Sequence, residues 1–200
     1  MNNAKTLKIT LVGIGIALNI IGSFIALTLR LPIYLDSLGT IMVSFLLGPL
    51  WGVITGILGS ITSGITFDIY SLYFAPVQIF TGLFAGFLYN KGFMRGKKIF
   101  IAVLVITIFV SFTGAIITAF VFKGLTSSGS SYILITLNNL GVNPIISAFI
   151  VQFFTDYLDK LVACILMISV IKRIPLSLKN KLETNNIFNR KDIFTKKSGY

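Results

Sequence analysis

Four of the chain's six acids, Asp36, Asp68, Asp156 and Asp159, lie beside or inside long apolar runs. A carboxylate there could hold a cation, accept hydrogen bonds from a polar ligand, or tie helices together. Gln152, Asp156, Asp159 and Lys160 fall at i, i+4, i+7 and i+8, so one helix face carries all four. Asp156 and Lys160 stand four apart in the order that favours an ion pair. Charges inside an apolar helix are expensive and face a cavity or a partner. That face therefore has two readings: a packing pair that ties the helix to its neighbours, or a ligand contact.

Aromatic and amide side chains fall at the same level as these acids. Tyr34, Phe67, Tyr70, Tyr73, Phe74 and Tyr132 suit an interfacial aromatic belt. Taken with the acids and the amides Gln78, Asn138, Asn139 and Asn143, they also suit an apolar pocket with a few placed polar groups. The candidate substrate-binding set is Tyr34, Asp36, Asp68, Tyr70, Tyr73, Gln78, Asn138, Asn139, Gln152, Asp156, Asp159 and Lys160. Asp36 has a second reading as a cap on the helix that follows, because Asp favours helix N-termini. Asn19, in the first apolar run, is expected to make an interhelical hydrogen bond.

Other chemistries are excluded by what the sequence lacks. There is no histidine, which removes imidazole bases and His-based metal sites. The single cysteine, Cys164, permits no internal disulfide and reads as a small buried apolar residue. No Walker A loop, nucleophile elbow or zinc-protease motif is present. Asp36 and Asp68 lack the motifs of a membrane aspartyl protease. No catalytic residue, metal site or cofactor is expected, and the chain is not expected to be an enzyme.

The elements that carry these residues are membrane spans. Hydrophobic residues make up 55% of the chain and charged residues only 12%, and the mean hydropathy is +0.92. A soluble domain carries about a quarter charged residues. Runs of span length recur, so the expected fold is an all-α integral membrane protein. Spans are expected at about 9–29, 37–48, 49–67, 72–90, 99–122 and 144–174, six in all. Pro49 in "GPLWG" breaks the second from the third. The second is short and must be shielded by its neighbours. The segment 123–143 reads as an outer loop. The last helix is longer than a membrane needs.

Six spans place both termini on one side. Lys5, Lys8, Lys91, Arg95, Lys97, Lys98, Lys172, Arg173, Lys179 and Lys181 fall there, against Arg30 and Lys123 on the other. Both termini are therefore expected to be cytoplasmic. The formal charge of +11 reports topology, with no nucleic acid implied. Residues 1–175 form the expected membrane domain, and 176–200 a basic cytoplasmic tail. Gly13 and Ala17, and Gly22 and Ala26, stand four apart on the first span. Such small-residue faces allow close helix approach, either within the chain or to another membrane subunit.

The order of these features resembles a family. A basic flank and small-residue first span precede "RLPIYLDSLGT", "LLGPLWGVITGILGS", "FAPVQIFTGLFAGFLYNKG" and "DYLDKLVACILMISVIKRIP". Together they resemble the substrate-binding S component of energy-coupling factor (ECF) transporters, over about residues 8–175. The resemblance implies that the chain captures one vitamin or related micronutrient, possibly nucleoside-like, outside the cell. The site would lie under the loop joining the first two helices. It also implies a transmembrane coupling protein and two cytoplasmic ATPases as partners, with a bacterial plasma membrane as the location. Family members carry an Ala-x-x-x-Ala contact motif on the first helix, for which Gly13–Ala17 and Gly22–Ala26 are the nearest matches. Substrate identity does not transfer within this family. The carboxylates suit hydroxyl, amine or amide groups, whereas Lys160 and Arg30 suit an anion. A ligand-sensing membrane domain and a stand-alone secondary transporter are the rival readings.

Overall fold

A computed structural model of the chain describes residues 3–122 and 127–175. Lys123 and the tail 176–200 lie outside the described residues. The helices are α1 (Asn3–Thr28), α2 (Leu38–Leu47), α3 (Pro49–Thr66), α4 (Ile69–Tyr73), α5 (Ala75–Asn90), α6 (Lys98–Ile116), α7 (Ser130–Asn139) and α8 (Pro144–Arg173). A π-helical turn, Ile117–Val121, continues α6. No strand occurs among the described residues.

The surface is largely apolar, and the interior combines an apolar core, with Ile41, Val43, Phe45, Val103 and Ile106 at its centre, with many small and polar residues. On α3 the buried face is Gly52, Thr55, Gly56, Gly59, Ser60, Ser63 and Gly64. Its exposed face carries Leu50, Ile54, Leu58, Ile61 and Ile65. α1 and α6 likewise turn Ile14, Ile21, Phe24, Ile101, Ile108 and Phe112 outward. Apolar exposure on this scale is not viable in water, and it matches a bundle solvated by lipid, whose helices associate through close packing. Three helical stretches, Lys5–Thr28, Pro49–Thr66 and Lys98–Val121, are long and apolar enough to cross a membrane.

α2 is the centre of the bundle. Every residue from Gly39 to Leu47 is buried, and α1, α3, α5 and α8 all pack on it. Ten residues rise only about 15 Å, half a bilayer core. The helix meets little lipid, as its shortness requires. α1 and α2 touch through backbone, because a Cβ on Gly39 would collide with the Gly15 main chain. Gly48 joins α2 to α3 at φ 96°, ψ 172°, a conformation that glycine adopts freely, and Pro49 opens α3 at once.

A polar chain crosses this centre. Asn19 Oδ1 accepts from the N–H groups of Gly39 and Thr40 at 2.7 and 3.2 Å, capping α2 from another helix. Asn19 Nδ2 donates to Thr40 Oγ1 at 2.9 Å, and Thr40 Oγ1 donates to Gln78 Oε1 at 2.8 Å. The expected interhelical role of Asn19 is thus met.

One segment differs from expectation. Residues 130–139 form helix α7, within a stretch expected to be a loop. α7 packs on the first turns of α8 through Leu134, Ala148 and Val151, a small second core. Asn143, expected among the ligand-facing amides, caps α8 by accepting from the N–H of Ile145 at 2.9 Å.

Candidate functional site

The loop 29–37 after α1 folds back against α8 and forms one wall of a cleft. Leu35 adopts φ 50°, in the left-handed region that a leucine rarely occupies. In that conformation its N–H donates to Asp159 Oδ1 at 2.8 Å. Asp159, fully buried, also accepts from Lys160 Nζ at 2.7 Å and from Ser37 Oγ at 3.4 Å. Lys160 Nζ donates to Ser37 Oγ at 3.0 Å as well. Gly129 N–H donates to the Leu31 carbonyl at 3.2 Å, tying the segment before α7 to the same loop.

The cleft holds about 400 Å³ of empty space, counted with its open mouth. Tyr34 and Asp36 line it from the loop, Asp68, Tyr70, Ser71 and Phe74 from around α4, and Val77 from α5. Ser127, Asp156 and Lys160 complete it. Asp36, Asp68 and Asp156, far apart in sequence, therefore face one space. Asp68 Oδ2 accepts from Ser71 and Ser127 hydroxyls, each at 3.0 Å. Asp156 Oδ2 accepts from Ser111 Oγ at 2.9 Å. Asp36 Oδ1 is buried without a hydrogen-bond partner, and Lys160 Nζ lies 3.9 Å from it.

Burial pushes the Asp36 carboxyl above the usual carboxylate range; Lys160 opposes this and Asp159 adds to it. Burial, reinforced by the charge of Asp156, likewise raises the Tyr34 phenol. The Tyr34 hydroxyl lies 3.5 Å from Gln152 Nε2 and 3.4 Å from Ser130 Oγ. Gln152 Nε2 is held in turn on Thr118 Oγ1 at 2.8 Å. The π turn of α6 thereby helps to set the tyrosine ring.

Of the twelve candidate residues, Tyr34, Asp36, Asp68, Tyr70, Asp156 and Lys160 line the cleft. Gln78, Gln152 and Asp159 stand behind its wall. Gln78 donates from Nε2 to the Asp36 carbonyl at 3.3 Å, and Gln152 and Asp159 hold the loop from α8. Tyr73 is 48% exposed, meets the Phe122 ring edge-on and is not part of the cleft lining. Asn138 and Asn139 lie at the end of α7, off the cleft, because the unexpected helix turns them elsewhere.

Two further expectations are corrected. Lys160 does not pair with Asp156: its ion pairs run to Asp159 and Asp36, and Asp156 turns to Ser111. The fold brings an oxygen of the neighbouring Asp159 and the Ser37 hydroxyl within reach of Lys160, which outweighs the helical spacing to Asp156. Asp36 is not the cap of α2. Ser37 occupies that position, and Asn19 serves the amides. On α1, Gly22 is buried under the Leu35 carbonyl and Ala26 is buried, so this pair packs inside the chain. Gly13 and Ala17 are exposed, and a Cβ on Gly13 would meet nothing within 4 Å.

Serines 37, 71, 111 and 127 were not expected at the site. Each hydroxyl bonds to an acid or to Lys160. Nothing in the sequence separates them from the many other serines of the chain.

A helical bundle with an apolar surface and a polar, aromatic cleft is a membrane protein built to receive a small molecule. The family model for the ECF transporter, substrate-specific component, matches residues 7–171. The chain belongs to that family and is a substrate-specific, multi-pass membrane subunit. No curated protein and no solved structure matches it.

Proposed function

We propose that the chain is the substrate-capturing subunit of an ATP-driven importer, taking a vitamin or related micronutrient from outside the cell. Six spans put both termini in the cytoplasm, and the membrane is the bacterial plasma membrane. Three spans come from α1, α3 and α6, and the others from α2, α5 and α8. The observation that carries the reading is the cleft, where three carboxylates and three aromatic rings meet under the loop after α1. A pocket with few placed polar groups is what a small organic ligand needs.

The chain performs no chemistry of its own. A transmembrane coupling protein and two cytoplasmic ATPases supply the energy, and the exposed Gly13–Ala17 face of α1 is where the coupling protein docks. In proteoliposomes, the purified chain should bind a small metabolite saturably and accumulate none of it. Accumulation should begin only when the coupling protein and ATPases are added with ATP. Uptake by the chain alone, driven by a proton or sodium gradient, would make it a secondary transporter instead. Copurification with a signalling protein and no ATPase would make it a sensor.

A further inference from the structure

The geometry points to a ligand that is a small organic cation, an amine or ring nitrogen carried on a flat, partly apolar body. This rests on the cleft being the substrate site, and it follows from charge balance there.

Lys160 is the one basic residue lining the cleft among the described residues. It is already spent on a neighbour: Asp159, fully buried behind the wall, accepts it at 2.7 Å and offsets its charge. The exposed cation near the loop, Arg30, does not line the cleft; its Nη1 donates to the Tyr132 hydroxyl at 3.0 Å. Among the described residues, an anionic ligand would therefore find no free cation lining the cleft.

The carboxyl groups are in the opposite position. Among the described residues, Asp68 and Asp156 accept side-chain hydrogen bonds from serine hydroxyls alone, which satisfy hydrogen bonds without offsetting charge. Asp156 is 4% exposed and lines the cleft, and among the described residues its side-chain hydrogen bond is the one from Ser111 to Oδ2. Asp36 Oδ1 is buried and accepts no hydrogen bond, with its nearest cation 3.9 Å away. Carboxyl groups held this way in a low-dielectric site gain most from a ligand that brings N–H donors and positive charge. The faces of Tyr34, Tyr70 and Phe74 favour the same ligand, since an aromatic wall attracts both a flat ring and a cation.

The test uses the full chain purified in detergent, checked as monodisperse, with three indole probes matched in shape: tryptamine, tryptophol and indole-3-acetate. They carry an ammonium, a hydroxyl and a carboxylate. Thermal shift and calorimetric titration should rank tryptamine at least about tenfold tighter than tryptophol, with indole-3-acetate weakest. Asp36→Asn and Asp68→Asn, which keep the side-chain shape, should each narrow the gap between tryptamine and tryptophol. Mass spectrometry of any small molecule that copurifies should find one protonated at neutral pH. Tighter binding of indole-3-acetate, equal binding of all three, or an anionic copurifying molecule would overturn the cation and leave the capture role standing. Absence of any bound or copurifying small molecule would overturn both.

Discussion

Lys160 shows at the scale of one residue how this protein tolerates charge in its centre. Its side chain is 2% exposed, and its ammonium is held by Asp159 at 2.7 Å and Ser37 at 3.0 Å. Removing one partner of a buried pair leaves the other charge uncompensated, at about 3–5 kcal/mol. Lys160→Met should therefore lower the thermal midpoint of the detergent-solubilised protein markedly, and Asp159→Asn should do the same. Asp68→Asn, at a half-buried rim position, should shift it little. The polar face of α8 was legible in the sequence because its spacing is helical and each charge in an apolar helix needs a reason. The choice of partner was not. The spacing of Asp156 and Lys160 favoured a pair, but side chains on one helix compete with whatever the fold brings nearby. Here that is the loop carrying Asp36 and Ser37, more than a hundred residues away in sequence.

Gly48 illustrates the same point for whole elements. The break at "GPLWG" was readable, since proline cannot continue a helix, and α2 ends and α3 begins there. What fixes the angle between the two helices is the glycine before the proline, at φ 96° and ψ 172°. A side chain in that region is strained by about 1–3 kcal/mol. Gly48→Ala should lower stability by that amount while leaving the cleft chemistry unchanged, so a thermal melt should move and ligand affinity at low temperature should not. Helix α7 was not legible, for a physical reason. Its ten residues carry neither a span-length apolar run nor a strong amphipathic stripe, and only three of them, Ser130, Ser131 and Leu134, are buried. Its fold comes from docking on α8, which a local reading of the sequence does not contain. Asp36 and Asp68, which interrupt apolar runs, and Tyr34, an aromatic at the same level, all reach the lining of the cleft. Asn138 and Asn139 do not line it, because they belong to the helix that the sequence did not reveal.

Across the whole molecule, the distribution of basic residues predicts orientation, and the single cysteine makes that prediction easy to test. Cys164 is fully buried, so the unmodified chain gives a silent background for thiol labelling. Ile69, 56% exposed beside the cleft, and Lys97, exposed in the basic turn before α6, mark opposite ends of the bundle. The chain travels from one to the other through α5, so the two positions are separated by the thickness of the bilayer if α5 crosses it. The turn from Lys91 to Lys98 holds four basic residues and no acid, a bias that retains such a segment in the cytoplasm. In intact cells, Ile69→Cys should react with a membrane-impermeant maleimide and Lys97→Cys should not. After permeabilisation both should react. The reverse pattern would put the cleft on the cytoplasmic side and remove its role in capturing a ligand from outside. Labelling of both positions in intact cells would mean that the helices between them do not seal the membrane, and the bundle would have to be redrawn.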